Sequence, residues 1–105
     1  MSFLSQALRG GALALVLGAV APVATAQADE IRTPMIAQGC AGCHGQSGAG
    51  MGSVPRIAGY GREAFIATWE SFRNDERPAT IMNRIARGYT DEEVAALADY
   101  FAQQR

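Results

Sequence analysis

Cys40-Ala41-Gly42-Cys43-His44 holds both cysteines and the single histidine of this 105-residue chain, and no other feature restricts its fold as much. A structural zinc site needs four protein ligands, which two Cys and one His cannot supply. A thioredoxin-like redox pair belongs between a strand and a helix, and no alternating strand pattern accompanies this one. A disulfide between Cys40 and Cys43 would close too small a loop to stabilise much.

A porphyrin uses all three groups. Thiols three residues apart on one helical turn reach two vinyl groups along one haem edge, and the next residue carries its imidazole beneath the iron. Ala41 and Gly42 are small enough for the backbone to lie close to the ring. The expected cofactor is haem c, one per chain, covalently attached through Cys40 and Cys43 and ligated by His44.

The chain divides into a cleavable export signal, 1–28, and a domain, 29–105. Arg9 is the first charge and Asp29 the next; Gly10 to Ala21 is almost wholly small or apolar, and Ala26-Gln27-Ala28 fits a small-residue cleavage site. A retained membrane anchor is the rival reading, but the apolar run falls short of the roughly 20 residues a spanning helix needs and ends at Pro22. The expected location is the periplasm, with no stable membrane span after signal removal. The 77 residues left of 105 are few for an apolar core to stabilise alone, and a covalent cofactor would supply the missing core. Without Arg9, eight arginines and no lysine face ten carboxylates, a formal charge of −2. That balance excludes the electrostatic footprint of a nucleic-acid binder and also a docking face ringed by lysines. Redox partners are therefore expected to meet this chain through apolar contacts with scattered charges.

All regular segments read as helical. Ile31 to Gly42 is a short helix ending in the cysteine motif; Gly45 to Gly61 is a long loop rich in Gly, Ser and Pro, suited to wrapping a cofactor. Arg62 to Arg73 spaces Phe65, Ile66, Trp69 and Phe72 along one helical face. Pro78 suits the first turn of another helix, running through Ile81, Met82 and Ile85 to a stop at Gly88. Thr90 and Glu93 form a capping box before a last helix that buries Val94, Leu97, Ala98 and Phe101.

With no second histidine, the other axial ligand falls to a methionine. Met35 lies on the helix before the motif, and Met51 only seven residues after His44; Met82 is far enough along the chain to return over the other haem face. Met/His ligation is a standard arrangement. The alternatives are that Met82 is simply core, or that the iron keeps an open position. Pro55 is placed for its carbonyl to accept the other ring N–H of His44, or it is a turn proline. Arg56, Arg73, Arg84 and Trp69 are candidate donors to the haem propionates, although most surface arginines are merely solvated. The Gly48 to Gly52 run lacks the Lys-Ser/Thr ending of a phosphate loop and reads as turns.

From Cys40 to Gly45, at Gly50, Pro55 and Gly59, through Thr80-Ile81-Met82-Asn83-Arg84-Ile85-Ala86-Arg87-Gly88-Tyr89 and at Tyr100-Phe101, the chain resembles class I cytochrome c. The Ile81 to Tyr89 stretch is most similar to a haem domain of the cytochrome subunit of flavocytochrome c sulfide dehydrogenase. The resemblance implies an all-α fold of three to five short helices around one covalently bound haem, His44/Met82 ligation, and electrons accepted from a flavin-containing partner that oxidises sulfide. The best-known such subunits carry two haem domains, whereas this chain has one attachment motif. The expectation is a one-haem version of that subunit, an electron carrier and not by itself an enzyme. A free soluble shuttle is the alternative, and an open-iron ligand-binding or peroxidatic protein a third.

Overall fold

Thr90 opens the best-capped helix of the chain. Its Oγ1 accepts the Glu93 N–H at 3.2 Å while Glu93 Oε2 accepts the Thr90 N–H at 3.0 Å, satisfying two donors that a bare helix end would leave unpaired. The computed structural model describes Gly18 and residues 24–105, with side chains inside the first helix from Arg32 onward. Four α-helices follow in order: α1 (Ala24–His44), α2 (Arg62–Arg73), α3 (Met82–Ile85) and α4 (Asp91–Ala102). Among the described residues there are no strands, only an isolated bridge between Met51 and Val54. None of the described helices is long and apolar enough to cross a membrane. The export signal expected over 1–28 lies outside the described residues except for Gly18 and 24–28, the latter opening α1.

Helix α4 turns Val94, Leu97, Ala98 and Phe101 inward, each almost completely buried, and packs against both α1 and α2. On α2, Phe65 and Trp69 lie four residues apart on the buried face. Phe65 stacks on Trp69 and on Phe101 with ring centroids 5.8 and 6.0 Å apart. Pairs of this kind add about 0.5–1.5 kcal/mol beyond the area they bury. Glu63 and Arg73 stand at the ends of α2 where the helix dipole favours their charges. Ala37 of α1 and Ala86 complete the buried cluster.

Two helices differ from their expected spans. Helix α1 begins at Ala24, well before the expected Ile31, ends at His44, two residues past Gly42, and carries Pro34 inside it, so it is not short; packing of Ile36, Ala37 and Cys40 on the core holds this segment despite the backbone hydrogen bond that proline removes. The helix expected from Pro78 begins only at Met82 and gives way to a 3₁₀ turn at Ala86–Gly88. The N–H groups of Glu76 and Arg77 both bond to Ser71 O, turning the chain off the end of α2. Residues 78–81 then cross in irregular backbone, which reaches further per residue than a helix does.

Candidate functional site

The last turn of α1 presents Cys40, half-buried, and Cys43, exposed, as free thiols, with His44 closing the helix. Burial pushes the Cys40 thiol above its ordinary pKa, a backbone hydrogen bond opposing in part. Gly45 then reverses the chain at φ 83°, where a Cβ would lie 2.6 Å from Gly50 O, so only glycine fits. Gly50 N–H donates to His44 O at 2.6 Å. Further round the loop, Gly48 O accepts both Ile57 and Ala58 N–H, at 2.8 and 2.9 Å, and Gly59 N–H is tied to Phe101 O at the end of α4 at 2.7 Å. The long loop is thereby fixed at both ends and in its middle.

This fixing brings Pro55 O to 2.6 Å from His44 Nδ1. A carbonyl only accepts, so Nδ1 carries the ring proton and Nε2 keeps its lone pair. Such an imidazole is held in one orientation by its partner, as metal-ligating histidines commonly are. The contact expected from the sequence is thus present in the structure.

Cys40, Cys43, His44, Pro55 and Met82 all line one cavity of about 520 Å³, within the range of sites for small molecules and cofactors. Its walls are largely apolar and aromatic, including Tyr60, Phe65, Trp69, Phe72, Ile81 and Ile85. Among the described residues Met82 is the one methionine that lines it; Met35 and Met51 are 69% and 54% exposed. Two thiols, an imidazole with a free Nε2 and a thioether around an apolar slot form a donor set suited to an iron porphyrin. No group of three His, Cys, Asp or Glu side chains among the described residues could hold a bare ion.

Two candidate propionate donors are employed elsewhere. Trp69 Nε1–H donates to Ala86 O at 3.1 Å, and Arg73 Nε donates to the same carbonyl at 3.3 Å. Arg73 also donates to Tyr89 O at 3.1 Å, to Glu70 at 2.8 Å and to Asp91 at 2.6 Å; its bond to Asp91 holds the guanidinium pKa above the ordinary value. These two side chains clamp the turn that follows Met82. Arg84 does not reach the cavity, whereas Arg56 does, and so does Arg77. Arg77 escaped the sequence reading, since nothing marks an arginine before a proline as facing a cavity until the path of residues 78–81 is known.

A family model described as cytochrome c matches residues 28–105. The chain is 37% identical over 84 residues to the cytochrome subunit of sulfide dehydrogenase of Chlorobaculum tepidum, an alignment covering 80% of this chain and 76% of that relative. It is 40% identical over 67 residues to the thiosulfate dehydrogenase electron acceptor of Stutzerimonas stutzeri, covering 60% of this chain but 31% of that one. Over 69 residues it is 29% identical to cytochrome c-554(548) of Halomonas halodenitrificans, covering 62% of this chain and 83% of the relative.

Proposed function

The chain belongs to the cytochrome c family of electron-transfer proteins, which carry covalently bound haem c, and from that premise we propose that it is a periplasmic one-haem carrier serving as the cytochrome subunit of a sulfide dehydrogenase. The observation that carries the site assignment is the single cavity shared by Cys40, Cys43, His44 and Met82. The two thiols would anchor the cofactor, His44 Nε2 and Met82 Sδ would be the donors to its iron, and Pro55 O holds the imidazole in the tautomer that leaves Nε2 available. Haem bound there supplies a one-electron ferric/ferrous couple. The thioether of Met82 would favour the reduced form and raise the potential, and a metal held by both His44 and Met82 would leave no site for substrate. The Trp69 and Arg73 bonds to Ala86 O keep the ligand-bearing segment in place through each change of oxidation state.

The partner reading is supported by the similarity to the Chlorobaculum subunit, which extends over most of both chains and so concerns a protein of comparable length. Ile81, 55% exposed, lies at the cavity beside Met82 and suits an apolar docking contact in a chain without lysine. Native purification should bring down a larger flavin-containing chain that stays bound in moderate salt, and anaerobic sulfide should reduce the haem rapidly only when that chain is present. A monomer that purifies alone and stays oxidised rejects the subunit reading. It would favour the free shuttle, a reading supported by the similarity to cytochrome c-554(548), whose length this chain largely spans.

A further inference from the structure

Half of the arginines of the described domain are matched by a carboxylate. Arg32 pairs with Glu93, Arg62 with Asp99, Arg73 with Glu70 and Asp91, and Arg87 with Asp75. Arg56 and Arg77 line the cavity and have no carboxylate partner among the described residues, and no Asp or Glu borders the cavity. Neither side chain is loose. Arg56 Nε donates to Ala58 O at 3.1 Å, which leaves the two Nη groups of its fork unspent. Arg77 stacks over Phe72 with its guanidinium carbon 5.4 Å from the ring centroid, and its Nη1 donates to Thr68 Oγ1 at 3.3 Å. Thr68 Oγ1 also meets the Tyr60 hydroxyl at 3.3 Å, and Tyr60 lies four residues beyond Arg56. The two arginine-bearing segments therefore converge on Thr68.

Two oriented, unmatched guanidinium groups at the rim of an apolar slot call for anions belonging to whatever fills it, because planar forks of this kind bind carboxylates best. We propose that Arg56 and Arg77 bind the two propionate carboxylates of the haem, with Thr68 as a positioning residue that holds the Arg77 fork. This inference rests on the reading of the cavity as the haem site. Its consequence is electrostatic: each guanidinium offsets a negative charge near the iron, which would otherwise favour the ferric state, and keeps its carboxylate ionised to low pH.

The test compares the midpoint potentials of wild-type holoprotein, Arg56→Gln and Arg77→Gln between pH 5 and 9. Arg84→Gln, which removes the same charge from an arginine off the cavity, is the control. At pH 7 and fixed solution potential, the ratio of reduced to oxidised protein should fall roughly threefold to tenfold in the two cavity variants, tenfold being about 59 mV for a one-electron couple. Their potentials should also decline with rising pH through a carboxyl pKa that lies higher than in the wild type. Potentials and pH profiles that coincide with those of the wild type and Arg84→Gln overturn the proposal while leaving the haem site standing. A wild-type chain matured without covalent haem overturns the site reading itself. Should Arg77→Gln yield no holoprotein, Thr68→Val keeps the charge but frees the fork. A displaced pH profile in Thr68→Val supports the proposal, and an unchanged one rejects it.

Discussion

The Nδ1 nitrogen of His44 and the carbonyl oxygen of Pro55 meet at 2.6 Å across eleven residues of chain. A backbone oxygen thus sets the tautomer of the only histidine in the protein, and the loop between them fixes the orientation of its ring. Substituting Pro55 leaves that oxygen in place but loosens the chain presenting it. Pro55→Ala should keep covalent haem and an unchanged ferrous spectrum while losing about 0.5–1 kcal/mol of stability, through the greater freedom of the unfolded chain. Denaturant unfolding of the holoprotein measures it.

Met82→Ala should abolish the near-infrared charge-transfer band of the oxidised protein, lower its potential and let the ferrous form bind carbon monoxide. Met35→Ala and Met51→Ala should do none of these, since both side chains point to solvent. An intact band in Met82→Ala would remove Met82 from the ligand set.

Tyr89 gives the domain a pH limit. Its ring packs edge-on against Trp69 at 5.2 Å, and burial, the largest cause, raises its pKa above the ordinary tyrosine value of about 10, with the charge of Glu93 adding to it. The folded state therefore holds this proton more tightly than the unfolded chain. That share of stability is intact below pH 10 and is lost as pH climbs from there through the folded-state pKa. Tyr89→Phe should flatten the loss in unfolding curves taken across that window.

The cofactor's share of the fold is testable with Cys40→Ala, Cys43→Ala. The cavity cuts between α2 and the segment carrying Met82, and an empty slot of about 520 Å³ removes packing partners from Phe65, Trp69 and Phe72. The double variant should lose helical circular dichroism together with its haem. Native helicity without haem would mean that the polypeptide folds before it is loaded.

Export is open to an equally direct measurement. Expressed without residues 2–28, the chain should accumulate colourless in the cytoplasm, because thioether formation follows translocation in the proposed scheme. Covalent haem in that material would sever the link between signal and attachment.

Much of this site was legible in the residues because local chemistry dictated it. The capping box of Thr90 and Glu93, the stripe of Phe65 and Trp69, and the cysteine motif at a helix end each depend on neighbours within one turn. The Pro55 carbonyl could be placed against His44 from the sequence only as one of two readings, the other being a plain turn proline. What escaped reading depended on distant partners. Pro78 is as compatible with irregular backbone as with a first helical turn, and only the turn at Ser71 O and the span to Met82 choose between them. Arg73 and Trp69 look like any amphipathic donors until Ala86 O is found between them, and Arg77 gains its position only through Thr68 and Phe72.

The double clamp on Ala86 O has a consequence for how such a chain can vary. Trp69 and Arg73 bind a backbone atom, so they hold the turn after Met82 whatever side chains it carries, and from its C-terminal side. Residues 78–81 approach Met82 from the other side and take no part in that grip. That stretch lines the cavity itself, so its inward side is constrained from within, while its outward side, with Ile81 55% exposed, is free to change with whatever surface it meets.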